Sequence, residues 1–483
     1  MSTTPPADVQ ADAPLAEALM RFCADPGVTF TTPGHKRTPH LGDALLAFDA
    51  PLACGVDDAQ LSSDYLGRAE RLAARLWGAD LCRFSVNGST HGNQAFALAL
   101  GAPGDRVAVS RNLHKSLFAG LILAGLTPLW MQPEIDAGSG LPAGVPVAEV
   151  RRVLAEGARA VMLVEPSYVG VVSDLAAIVR LAHAAGAPVI VDQAWGAHLG
   201  MHPELPAGAL RAGADGMVIS AHKTLAAFTQ GAIVLAREGL LDLQRLSEGF
   251  ELLHTTSPSA AIAGSIDRAR QIMALRGPEL LGATLALARR FRAELADIEG
   301  LRILDPDDVR RLPAVGDFDP LKLVLLLPGT GADGHEVERD LNDAGVRVEM
   351  ADRDVIIPLL TIGDDDSTVD RLIDALRRSL DRRRGAPRAV CTASAWRVRP
   401  RAAMTPREAF FAPRERVRAE CAAGRISAET AAPYPPGIPV LAPGEIVTAE
   451  LLSALRAEAA AGTRVAYCSD PTLNTLLVVR GAG

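Results

Sequence analysis

The chain has 483 residues and a formal net charge of −8, a balance that gives no reason to expect nucleic acid or an anionic membrane as partner. It is 48% apolar but only 4% aromatic, so a large core must be built mainly from aliphatic side chains. That length suits two or three domains, and no apolar run approaches the roughly 18 residues of a membrane span.

Met1 to Pro14 is polar and acidic with no apolar centre, so it does not read as a signal peptide. Residues 1–60 are taken as an N-terminal segment. Over residues 61–300 short apolar runs alternate with alanine- and leucine-rich stretches: Arg106 to Val109, Ala160 to Val164, Pro188 to Val191, Gly216 to Ile219 and Ala232 to Leu235. This alternation predicts an α/β large domain with a mostly parallel sheet covered on both faces. The stretch Leu175 to Ala182 predicts a helix that stops near Gly186. Residues 301–385 suit a smaller α+β domain, with strands over Leu321–Leu327 and Val346–Met350 and helices over Val337–Leu341 and Val369–Leu380. The basic run Arg377 to Arg384 reads as a solvated helix end and linker. Residues 386–483 form a third unit, whose segment Pro433-Tyr434-Pro435-Pro436-Gly437-Ile438-Pro439 excludes a helix. The six cysteines (Cys23, Cys54, Cys82, Cys391, Cys421, Cys468) lack paired spacing and read as reduced thiols of a cytoplasmic protein. No histidine pattern points to a metal.

Two apolar runs end in chemistry. Val189 to Val191 leads into Asp192, and Met217-Val218-Ile219 leads into Ser220-Ala221-His222-Lys223. Both groups belong at strand tips, where open α/β sheets hold ligands. Thr224 to Phe228 offers Lys223 no acidic partner, and most other basic side chains are arginine. A lysine retained there needs an amine that can lose its proton. With an aspartate on a neighbouring strand, the pair matches the needs of pyridoxal 5'-phosphate (PLP). The amine condenses with the aldehyde, and the carboxylate keeps the pyridine nitrogen protonated.

Other segments fit the same cofactor. Val86 to Gln94 is a strand-to-helix turn in which Gly88 permits a sharp bend. Ser89 and Thr90 offer hydroxyls there, and a helix over Ala95–Leu100 favours an anion at its start. A plain serine/threonine N-cap is the alternative. His114, in Arg111-Asn112-Leu113-His114-Lys115-Ser116, stands at the next strand tip and could stack on the pyridine ring, or simply cap a turn. Ala194 is small enough for a flat ring face, with Trp195 beside it.

With these residues in view, the chain resembles the ornithine/lysine/arginine decarboxylases of PLP fold type I, the group III decarboxylases. The resemblance rests on Phe30-Thr31-Thr32-Pro33-Gly34-His35-Lys36, Asn87-Gly88-Ser89-Thr90, Arg111 to Ser116, Asp192-Gln193-Ala194-Trp195, Ser220 to Gln230, His254-Thr255-Thr256-Ser257-Pro258-Ser259 and Pro433 to Pro439. It implies that Lys223 is the Schiff-base lysine, Asp192 the pyridinium partner and His114 the stacking group, with Ser89, Thr90, Ser220 and His222 around the phosphate. The Thr255-Thr256-Ser257 segment is similar to one that reaches the phosphate of a neighbouring subunit, which implies a homodimer with shared active sites. The expected form is a short one, without an extra N-terminal domain. The expected reaction is α-decarboxylation of arginine, lysine or ornithine, with arginine first and Lys223 or His222 as proton donor. Glu349 and Asp352 are candidates to meet a cationic substrate tail. The alternatives are another fold type I reaction (transamination or retro-aldol cleavage) and a non-catalytic PLP-binding regulator. Two positions depart from the family pattern: His91, where small residues are common, and Ala260, where tyrosine is frequent.

Overall fold

The structure, a computed structural model, describes residues 10–24, 30–37, 46–53, 56–57, 64–136, 138–390, 394–434 and 437–481. The readings made on residues 1–9, on Cys54, Cys391, Pro435 and Pro436, and on the domain boundary at 60/61 lie outside them. Two compact units are present, one from Met1–Leu100 with Pro188–Gly282 and one from Gly101–Ala187 with Ala283–Gly483. No helix among the described residues is long and apolar enough to cross a membrane. Cys23, Cys82, Cys421 and Cys468 are free thiols.

In the first unit, the strand Leu81–Ser85 pairs antiparallel with Ala232–Ala236, which pairs antiparallel with Gly216–Ile219. Gly216–Ile219 in turn runs parallel to Val189–Asp192. Every residue of the strands Val189–Asp192, Gly216–Ile219 and Ala232–Ala236 is buried, which is why they read as continuous apolar runs rather than alternating ones. The helix Gly88–Ala99 lies directly on this sheet. A Cβ on Gly92 would stand 2.6 Å from a methyl of Val234 and 2.7 Å from one of Val218, so only glycine permits that approach. The helix therefore starts at Gly88, not at Ala95 as the sequence suggested; its glycines serve packing as well as turning. A wholly buried ion pair, Arg270 to Asp267 at 2.6 Å, fastens the helix Pro14–Ala24. Asp267 Oδ2 accepts the N–H groups of Leu15 and Ala16 at its start.

In the second unit, Arg106–Ser110 is flanked by parallel partners Thr127–Met131 and Val161–Val164. The helix Leu175–Ala184 is capped by Asp174, which accepts the Ala177 N–H at 3.0 Å, and runs out into Gly186 at φ +71°. A small antiparallel sheet follows, in the order Met350–Ala351, Val355–Ile357, Leu325–Leu326, Arg302–Ile303. Two sequence expectations are corrected here. Only Leu325 and Leu326 of Leu321–Leu327 join the ladder, because Asp319 turns the chain beneath Leu321 and Lys322. The Val346–Met350 strand shrinks to Met350–Ala351, since a tight turn at Asp352 follows at once. The basic run is answered by acids: Arg383 and Arg382 reach Asp340, and Arg377 reaches Asp297. The Arg383 guanidinium holds the Asp340 carboxyl down at about 2. The C-terminal stretch closes with the antiparallel pairs Arg414–Arg418 with Thr475–Val479 and Ala432–Tyr434 with Arg464–Ala466, over a core that includes Leu441, Val447, Leu451, Leu455 and Val478.

Candidate active site

Asp192 ends a fully buried strand, and its carboxylate is held at both oxygens. Oδ1 accepts the Ala194 N–H at 3.0 Å and Oδ2 accepts the Asn93 side-chain amide at 2.7 Å. Asn93 is 0% exposed and Asp192 3%, so this carboxylate has one orientation. Spacing did not single out Asn93. It sits one turn into the helix Gly88–Ala99, and its partner is 99 residues away.

The next strand, Gly216–Ile219, delivers Ser220 and the short helix Ala221–Thr224. Lys223 is half-buried there, with Nζ 3.9 Å from the centroid of the Trp195 ring. That aromatic face attracts a cation. His222 Nδ1–H donates to the Gly231 carbonyl at 2.9 Å, which leaves the lone pair of the neutral ring on Nε2.

The phosphate-type turn and the lysine loop are bonded together. Ser220 Oγ, wholly buried, donates to Ser89 Oγ at 3.0 Å. Gly88 takes φ +71°, and its N–H donates to the carbonyl of Gln230, itself at φ +75°. A non-glycine residue in that region is strained, and such strain concentrates at functional sites. Asn87 stands at the N-cap without a side-chain cap bond, so no side chain closes the first helical turn, which carries Ser89 and Thr90. Behind the turn lies His91, buried and bonded to Ser85 and to the Phe250 carbonyl. Burial drives its pKa down to about 4, so the ring is neutral. Thr255 and Thr256 are exposed on the loop beyond His254. The donor set suits PLP: two hydroxyls and an uncapped helix start for phosphate, a fixed carboxylate for a pyridinium nitrogen, and one amine beside them.

His114 and Arg111 belong to the second unit. His114 is an exposed N-cap for the helix Lys115–Ala124, with Nδ1 taking the Ser116 N–H at 3.3 Å. Arg111, which opens that same motif three residues before His114, is buried against Glu445. Of the two candidates for a cationic tail, Asp352 spends Oδ1 on the N–H groups of Asp354 and Val355, and burial lifts its carboxyl to about 6. Glu349 is exposed and bonded to Tyr168.

The family model described as the Orn/Lys/Arg decarboxylase major domain matches residues 13–368, and the model of its C-terminal domain matches residues 389–464. The chain belongs to the Orn/Lys/Arg decarboxylase family. Two relatives named arginine decarboxylase, from Bacillus subtilis (strain 168) and Bacillus anthracis, are each 34% identical to it, over 98% of this chain and 98% of their own. Among solved structures, a lysine decarboxylase of Francisella novicida has a TM-score of 0.83 at 20% identity, covering 97% of this chain and 81% of that one. That likeness fixes the fold as PLP fold type I, and membership of the decarboxylase family makes pyridoxal 5'-phosphate the cofactor.

Proposed function

We propose that this decarboxylase removes the α-carboxyl group of arginine as CO2 and releases the corresponding amine, as a polyamine precursor made in the cytoplasm. Decarboxylation of a basic amino acid follows from family membership; the choice of arginine is supported by the names of the 34% identical relatives. The observation that carries the reading is the buried Asp192 carboxylate, fixed by Asn93 and Ala194, one strand from the turn that presents Lys223.

Bound PLP supplies the electron sink for the pair left when the Cα–carboxyl bond breaks. Asp192 holds a proton at the pyridine nitrogen, and Ala194 leaves room for a flat ring face. Ser89, Thr90 and Ser220 would hold the phosphate with the helix start at Gly88. Lys223 Nζ would carry the proton to Cα, with His222 fixed at Nδ1 by the Gly231 carbonyl as the other candidate. Thr255 and Thr256, exposed on their loop, would serve the phosphate of a second copy of the chain, in a homodimer with shared sites.

The test is release of labelled CO2 from carboxyl-labelled arginine, lysine and ornithine, each without a keto acid. Rapid release from arginine supports the proposal; release from lysine or ornithine instead would correct the substrate. Release that requires a keto-acid acceptor would sink decarboxylation as the main reaction. Sedimentation of the PLP-loaded protein checks the dimer, and a monomer with full activity would reject shared sites.

A further inference from the structure

His91 ties the phosphate-binding turn to the rest of its unit through hydrogen bonds at both ring nitrogens. The Phe250 carbonyl can only accept, so Nε2 carries the proton and donates to it at 2.8 Å. Phe250 lies in the last turn of the helix Leu243–Leu253, where the His254 N–H turns aside to the Glu251 carbonyl. The Phe250 carbonyl is thus one of the helix-end acceptors without a helical partner, and His91 satisfies it. The two rings stack at 4.1 Å between centroids, with the planes 27° apart.

With Nε2 protonated, Nδ1 is an acceptor, and the Ser85 hydroxyl donates to it at 3.0 Å. Ser85 Oγ in turn accepts the Asn87 N–H at 3.1 Å and lies 3.1 Å from the Gly88 carbonyl. The hydroxyl therefore holds the backbone at Asn87, just before Ser89 and Thr90, while its one proton can go either to His91 or to the Gly88 carbonyl. His91 decides which way that hydroxyl points. A small or apolar residue at position 91 would leave Ser85 free to rotate toward Gly88 and the Phe250 carbonyl buried without a donor.

We infer that His91, acting through Ser85, is a positioning residue for the cofactor's phosphate: it sets the turn at Asn87–Gly88 so that the Ser89 and Thr90 groups converge on the anion. The inference rests on the assignment of this turn to PLP phosphate. Two substitutions separate its two bonds. Asn at position 91 places an acceptor near the site of Nδ1 and loses the reach to Phe250. Gln places a donor near the site of Nε2 and loses the acceptor for Ser85.

The full-length chain is titrated with PLP and, separately, with pyridoxal, which lacks the phosphate. Expected for H91Q and S85A is a Kd for PLP about tenfold higher than wild type, the worth of one hydrogen bond. H91N stays within about twofold of wild type for PLP, and all three keep the wild-type affinity for pyridoxal, an internal check on folding. Parallel losses for PLP and pyridoxal would overturn the inference, since His91 would then act on the fold or the ring. Unchanged PLP affinity in H91Q and S85A would overturn it as well. Wild-type protein that binds PLP no better than pyridoxal would overturn the phosphate assignment itself, a different failure from loss of the His91 role alone.

Discussion

Asn93 Nδ2 donates to Asp192 Oδ2 at 2.7 Å, between two side chains that are both fully enclosed. An acid at the end of an apolar strand would swing toward any donor, and this bond removes that freedom without neutralising the charge. Hydrogen bonds to charged groups contribute about 1.5–3 kcal/mol, and losing one leaves a buried charge under-solvated. Asn93→Leu is therefore expected to lower kcat by roughly 10- to 100-fold with a smaller change in KM. Steady-state kinetics on PLP-saturated protein check it. A change confined to KM would mean that Asn93 serves substrate binding instead of Asp192.

Lys223 is placed over the Trp195 ring, with Nζ 3.9 Å from the ring centroid. Lys223→Ala is expected to abolish CO2 release while leaving the fold intact. Borohydride reduction of the PLP-loaded wild-type protein is expected to fix the pyridoxyl group on the peptide that contains Lys223, and peptide mass spectrometry reads this directly. A label on any other lysine would move the site.

How much of this was legible depends on the range of each interaction. The strands Val189–Asp192, Gly216–Ile219 and Ala232–Ala236 were legible because burial on both faces leaves an unbroken apolar run. Lys223, Asp192 and Ser89 were chosen by chemistry, since few residue types can condense with an aldehyde or pair with a pyridinium. Asn93 had no such mark: an asparagine inside a helix looks like any other until a strand 99 residues on is laid beside it. The helix Ala260–Leu295 runs for 36 residues through Pro278, a residue that read alone argues for a break. Leu321–Leu327 failed in the opposite sense. Its leucines are buried, but the Asp319 turn takes the first of them out of the ladder.

Glu70 gives the fold a pH dependence of known sign. Burial raises its pKa from 4.5 to about 7, and the Arg83 guanidinium 3.5 Å away offsets only part of that. The folded state thus binds a proton more tightly than the unfolded chain. The stability it contributes is complete below pH 4.5 and is lost as pH rises through about 7. Glu70→Gln keeps an acceptor for the Phe84 N–H, bonded at 2.8 Å, and removes the ionisation. The variant is expected to match wild type near pH 4.5 and to exceed it at pH 8 by up to about 3 kcal/mol. Urea unfolding at the two pH values measures it, and an equal difference at both would show that Glu70 is not the titrating group.

Arg111 and Glu445 form a buried ion pair in the second unit, with side chains 5% and 2% exposed. The geometry is bidentate, Nη1 to Oε1 at 2.5 Å and Nη2 to Oε2 at 2.9 Å, while Nε donates to the Pro439 carbonyl at 2.8 Å. The guanidinium lies 4.7 Å from the Trp130 ring centroid, and Glu445 Oε2 also accepts the Ala442 N–H. The pair therefore clamps the proline-rich segment to the turn that bears His114, three residues from Arg111. Removing one partner strands a buried charge, so Glu445→Leu or Arg111→Met alone is expected to destabilise by about 3–5 kcal/mol. The double variant removes both charges and fills the space with apolar atoms, so its loss is expected to be smaller than either single loss. Denaturant unfolding of the four proteins completes the cycle. Because the clamp steadies the His114 turn, kcat of the double variant is expected to stay low even where stability returns. Recovery of stability and kcat together would instead make the pair purely a matter of folding.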